Sequence, residues 1–127
     1  MGYHFRQHYT VEQARAMLPQ VRQWLDNLVE LRKRLEQADK PIEQILKDCN
    51  DAGGDPVHRM VRLLADIKDA LREFQKRDIQ LKDLERGLLD FPAIIGGKEV
   101  FLCWEKDEDD IEHWHELDSG YANREPL

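Results

Sequence analysis

Two stretches of this chain repeat an apolar residue every three or four positions, and that period decides most of what it can fold into. Leu18, Val21, Leu25, Leu28, Leu31 and Leu35 make the first; Val57, Met60, Val61, Leu64, Ile67, Leu71, Phe74, Leu81 and Leu84 make the second. At helical pitch such spacing stacks the apolar side chains into one stripe, which must be buried against a partner surface. Trp24 and Val29 widen the first stripe. The opposite faces of two such rods are solvated, which accounts for a chain that is 35% charged beside 41% hydrophobic.

The ends of the rods are marked by capping residues. Thr10 and Gln13 have the spacing of a reciprocal cap, so the first helix is predicted from about residue 11 to Ala38, ahead of Lys40-Pro41. Pro19 lacks the backbone donor a helix interior uses, and a kink or break is expected near Met17-Leu18. Ile42, Ile45 and Leu46 suggest a short helix to about Asn50, followed by a Gly53-Gly54 loop. Asp55-Pro56 supplies a cap acceptor and a proline suited to the first turn. With Gly87 as the C-terminal cap, the second helix is predicted over 56–86, a rod of roughly 46 Å. So long a stripe exceeds what the first helix covers, and self-association is the expected remedy.

After Gly87 the period changes. Leu88–Ile95 and Glu99–Trp104 flank Gly96-Gly97-Lys98, the pattern of a hairpin. Pro92 makes the first of these an expected edge or bulged strand. Lys106–Asp110 reads as an acidic turn, Ile111–Leu117 as a third strand, and Tyr121–Leu127 as an extended arm. The predicted class is α+β, mainly α: a long antiparallel helical hairpin with a small C-terminal antiparallel β-sheet. One domain is expected over 1–127, with helical segments over 11–50, the long helix over 56–86 and the β tail with its arm over 88–127.

Charge and composition exclude several functions. A net charge of −7 over 127 residues opposes binding to a nucleic-acid backbone. The one dense basic run, Arg32-Lys33-Arg34, is flanked by Glu30 and Glu36 and reads as a solvated helix face. Cys49 and Cys103, the only cysteines, stand in unlike contexts, which argues against a disulfide. No stretch has the apolar length of a signal peptide or a membrane span, so no membrane partner is expected and the cytoplasm is the predicted compartment. Gly2 is followed four positions later by Arg6, where a myristoylation signal has Ser or Thr. Phosphate loops, nucleophile elbows, Cys-x-x-Cys pairs and His-Glu-x-x-His motifs are absent, leaving enzyme status undecided.

The candidate chemistry lies in the tail. In Glu112-His113-Trp114-His115-Glu116 the two histidines are two apart, and on a strand they would share a face and could hold one divalent metal such as zinc. Two ligands are too few. Cys103 on the preceding strand is the natural third, with Glu116, Asp118 and His58 as other sources. The competing reading makes His115 a hydrogen-bonded packing residue and His113 an exposed one. Trp104, Trp114 and Tyr121 read as core, and Asp107–Asp110 as a solvated turn lacking the spacing of a calcium loop. Arg124 would either meet an anionic ligand or pair with Asp118 or Glu116 to fasten the arm.

Several segments together resemble a known family: Tyr9-Thr10-Val11-Glu12-Gln13-Ala14, Leu18-Pro19-Gln20-Val21, Gly87-Leu88-Leu89-Asp90-Phe91-Pro92-Ala93, Glu99–Trp104, Ile111–His115 and Gly120–Pro126. The chain is similar to the bacterial family called domain of unknown function 2203. The resemblance spans nearly the whole chain and implies no activity. Its pattern includes Trp114-His115 but has no regular histidine at the position of His113, which shifts the weight to His115 and Arg124. Two functions are therefore expected from the sequence. The first is a helical protein-interaction module, a homo-oligomer with a protein partner. The alternative is a metal-binding or acid–base enzyme with catalytic candidates His115, Arg124 and Glu116 and metal candidates His113, His115 and Cys103.

Overall fold

The computed structural model describes residues 2–38 and 55–127. The short helix expected up to Asn50 lies outside them, as does Cys49. Helix α1, Val11–Ala38, begins at the predicted cap: the Thr10 N–H donates to Gln13 Oε1 and the Gln13 N–H to Thr10 Oγ1, each at 3.0 Å. It runs through Pro19 without the predicted break. Ala14, Leu18, Val21, Leu25, Leu28 and Leu31 are buried along one face, and that continuous packing outweighs the hydrogen bond lost at Pro19.

Helix α2 spans Asp55–Gln75 and stops well short of Gly87. Its end is a Schellman turn. The Ile79 N–H reaches back to the Phe74 carbonyl and the Asp78 N–H to that of Gln75, both at 3.1 Å, with Asp78 left-handed at φ 60°. Phe74 and Ile79 are both buried, the apolar pairing that accompanies this motif. Aspartate tolerates the left-handed conformation better than most residues, so it stands where glycine was expected. Trp24 packs against Phe74, while farther along Leu31 and Arg34 share a groove with Asp66 and Ala70, the pairing of antiparallel rods.

The β region is larger than predicted and starts earlier. Strands β1 (Gln80–Asp83), β2 (Leu88–Ile95), β3 (Lys98–Trp104), β4 (His113–Glu116) and β5 (Glu125–Pro126) form one antiparallel sheet in chain order. Leu81, assigned to the helix by its spacing, belongs to β1. Gly87 caps no helix; it closes the β1–β2 turn at φ 63°, its N–H donating to the Leu84 carbonyl at 3.2 Å. A Cβ there would lie 2.4 Å from Lys106 Cβ, so glycine is required twice over. The Gly96-Gly97 hairpin forms as expected, both residues at positive φ (59° and 78°) between the partners Ile95 and Lys98. The third predicted strand contracts to β4, and the arm is not simply extended: a 3-10 turn, Tyr121–Asn123, precedes β5.

Pro92 sits in a strand that is second in the sheet, not at its edge. β1 pairs only with Leu88–Asp90, however, so Pro92 lies beyond its end. There the Pro92 carbonyl accepts the Tyr9 N–H at 2.8 Å. Since a strand residue's N–H and carbonyl point the same way, the donor that proline lacks would have faced away from β3, and the β2–β3 ladder loses nothing.

Alternation divides the sheet into two buried faces. Leu89, Phe91, Ala93, Val100, Leu102 and Trp104 join α1, Ala70 and Phe74 in a single apolar core. The other face, with Asp90, Pro92, Phe101, Cys103 and His115, is also buried, but among the described residues no helix lies over it. The N-terminal segment packs on it instead. Phe5 packs on Phe101 with ring centroids 5.4 Å apart. Glu99 accepts the backbone N–H groups of His4 and Phe5 at 2.8 and 3.0 Å and pairs with His8 Nε2 at 2.6 Å. Asp78 accepts those of Arg6 and Gln7, so the residue that ends α2 also anchors this N-terminal strap.

Candidate functional site

The covered outer face brings together three residues that the sequence holds apart. Asp90 on β2 lies opposite Cys103 on β3, and His115 on β4 lies opposite Phe101, two positions along the same face. The Asp90–Cys103 pair has the same parity as Pro92–Phe101, the narrow, non-hydrogen-bonded type in which facing side chains are closest. A carboxylate oxygen, the thiol sulfur and an imidazole nitrogen all fall within 4.8 Å of one another. The residues are 3%, 1% and 2% exposed, respectively.

The His115 ring is held at both ends. Nδ1 lies 2.8 Å from the Glu116 carbonyl oxygen, which can only accept, so Nδ1 carries a hydrogen. Nε2 lies 3.0 Å from Asp90 Oδ1, and that contact requires one further proton, on the ring or on the acid. Burial raises the Asp90 pKa, against the opposing pull of His115 and Lys82. Burial, reinforced by the charge of Asp90, pushes the Cys103 thiol up to about 12, while Arg124 draws it the other way.

Arg124 stands in the C-terminal arm, between the 3-10 turn and β5. Its Nη1 donates to Glu108 Oε1 at 2.9 Å and its Nη2 to Tyr121 Oη at 3.2 Å, and the guanidinium lies over the Tyr121 ring at 4.2 Å. Burial opposes the guanidinium charge, but Glu108 outweighs it and raises the Arg124 pKa. The loop carrying Glu108 is in turn fixed to α1, because Arg22 donates to the carbonyls of Lys106 and Glu108 and Arg15 to that of Ile111.

A family model described as "Uncharacterized conserved protein (DUF2203)" matches residues 7–127, a span that contains every residue of this cluster. The chain belongs to that family. No curated protein and no solved structure matches it. As a DUF2203 protein it carries no activity by inheritance, and its chemistry has to be argued from its own side chains.

Of the predicted site residues, the fold brings Cys103 and His115 together and leaves the others aside. His113 shares the strand face of His115 and pairs with Cys103 in register, but its Nδ1 faces Glu108 Oε2 at 3.4 Å and has no hydrogen-bond partner. Glu116 is exposed and pairs with Lys98, Asp118 is exposed, and His58 is exposed near the start of α2. Arg124 does fasten the arm, though to Glu108 and not to Asp118 or Glu116. Sequence reasoning missed two residues. Asp90 had one usable signal, a lone carboxylate inside the apolar run Leu88–Ile95. Glu108 had none, being one acid among four in Asp107–Asp110.

The geometry discriminates among chemistries. Both His115 nitrogens are engaged, and neither partner is the thiol, so the order of a Cys-His-Asp nucleophile relay is not present. A general acid or base must reach its substrate, and His115 at 2% exposure is poorly placed for that. Three donors of metal-ligand type converging on one point suit coordination better.

Proposed function

We propose that this protein binds a divalent transition metal of zinc type through Asp90, Cys103 and His115. The observation that carries the reading is the convergence of those three donor atoms within 4.8 Å at a point walled from water. A thiolate with an imidazole favours zinc-class ions over magnesium or calcium, which prefer all-oxygen sets. The Glu116 carbonyl supports the same reading: it holds the hydrogen on His115 Nδ1, as second-shell acceptors do for metal-bound histidines, and directs Nε2 to the other donors. Coordination would take the place of the proton between Asp90 and His115 and would ionise the thiol. Three protein ligands leave a tetrahedral ion one further position.

Elemental analysis of untagged protein, followed by zinc titration of the chelator-stripped chain, tests this. One equivalent of zinc is expected, with Cys103→Ser and His115→Ala each weakening it at least about tenfold. A folded wild-type chain that takes up no zinc, cobalt or nickel would overturn the reading.

A second reading, self-association, is favoured by one feature of α2. Val57, Val61 and Leu64 follow one another at helical spacing and are 47%, 61% and 50% exposed. The occupant of that stripe would be a second copy of the chain. Sedimentation analysis should show a dimer that Val61→Glu dissociates; a monomer at high concentration rules it out.

A further inference from the structure

Three protein ligands leave one position of a tetrahedral ion to be filled, and at 1–3% exposure of Asp90, Cys103 and His115 water is a poor occupant for it. A bound water would need space and hydrogen-bond partners of its own inside the covered face. A thiolate and a carboxylate already cancel the charge of a divalent ion, so a neutral protein ligand completes the set without burying charge.

His113 meets that description. It stands two residues before His115, so both imidazoles spring from the same face of β4, and its register partner is Cys103 itself. The Pro92 carbonyl, turned to Tyr9, fixes the sense of the pairing. Phe101 and Cys103 meet β2 in non-hydrogen-bonded pairs, so their backbone groups turn to β4 and Cys103–His113 is a hydrogen-bonded pair. Such pairs hold their Cα atoms about 5.5 Å apart, against about 4.5 Å in the other type, which leaves room for an ion between the two side chains. Zinc bonds of about 2.3 Å to sulfur and about 2.0 Å to nitrogen span that gap.

The ring is turned from this position toward Glu108, where it is poorly held. Its Nδ1 is sealed from solvent, lies 3.4 Å from Glu108 Oε2 and makes no hydrogen bond among the described residues. A sealed nitrogen without a partner is a cost that rotation of the ring relieves. Glu108 does not depend on the ring, because its Oε1 accepts Arg124 Nη1 and the Glu105 N–H, both at 2.9 Å. Turning His113 back involves side-chain torsions on a strand already paired on both sides.

We propose that His113 is the fourth ligand of the site, so that Asp90, Cys103, His113 and His115 enclose a zinc-type ion with no position open to solvent. The inference rests on the metal reading above and gives it a consequence. A closed four-ligand centre ties β2, β3 and β4 together as a structural metal does, and it offers no bound water for hydrolysis.

Cobalt(II) is the probe, since the intensity of its visible absorption reports coordination number. Wild-type protein with one equivalent of cobalt is expected to give the strong bands of a tetrahedral thiolate complex, unchanged by azide. His113→Ala, or His113→Gln should the alanine variant fail to fold, is expected to bind cobalt at least about tenfold more weakly. Its spectrum should shift on addition of azide or imidazole, which enter the vacated position. A wild-type complex that azide alters as readily as the variant's, or a variant with wild-type affinity and spectrum, overturns the closed site and leaves Asp90, Cys103 and His115 as ligands. Failure of the folded wild-type chain to take up cobalt or zinc defeats the metal reading itself, and His113 with it.

Discussion

The two faces of the sheet are buried to a similar degree by opposite means. The inner face offers only apolar side chains, Leu89, Phe91, Ala93, Val100, Leu102 and Trp104, to a pair of helices. The outer face seals an acid, a thiol and an imidazole, and the N-terminal strap packed on it is held mainly by hydrogen bonds. Apolar burial gains stability in proportion to area and needs no particular partner, whereas a sealed polar group is tolerable only when paired. The inner face therefore accounts for the fold. The outer face needs another reason to exist, and such a cost is usually met where a site requires it.

That contrast can be broken by mutation. Trp104→Ala empties the inner core and is expected to cost about 3–5 kcal/mol in urea denaturation. Asp90→Ala or His115→Ala leaves its partner buried and unpaired, and each is expected to cost about 1–3 kcal/mol. Because the two losses share one contact, the double variant should cost less than their sum. If Asp90→Ala destabilised the metal-free chain more than Trp104→Ala, the division into a folding face and a site face would be reversed.

A smaller effect comes from the rim of the outer face. Burial works against the Glu99 charge, but His8 and the Phe5 and His4 backbone N–H groups outweigh it, so its pKa lies below the ordinary value of about 4.5. A carboxyl depressed in the folded state contributes stability that is present above that ordinary value and lost as pH falls through the folded one. Thermal unfolding should accordingly lose stability as pH drops below about 4.5, and Glu99→Gln should flatten the curve in that window. A wild-type curve that is already flat there would show that the strap is not held by this charge. The smallest change is expected away from both faces, where Lys68→Ala on the exposed side of α2 should alter stability by no more than about 0.5 kcal/mol.

Much of the helical layer was legible because its signals are local. The Thr10–Gln13 cap and the stripe from Leu18 to Leu31 act within a turn or two. The end of α2 was misread because Leu81 and Leu84 happen to continue the helical spacing inside a strand and a turn. Asp78, an acid on the apolar seam, was the signal that the seam had ended. In the tail, Gly96-Gly97 announced its hairpin, and Cys103 with His115 stood among the candidates. Asp90 and Glu108 did not, since nothing near them in the chain marks their partners.

By itself the sequence determined the two helical stripes, the sites of the α1 cap and the tight hairpin, and the family to which the chain belongs. Each depends on residues a few positions apart, where period and backbone preference act directly. Only the tertiary structure decided that Asp90, Cys103 and His115 meet, that His113 turns to Glu108, and that Arg124 pairs with Glu108. The physical reason is register. Three strands must align so that one face carries all three donors, and a slip of a single residue would turn a donor to the opposite face.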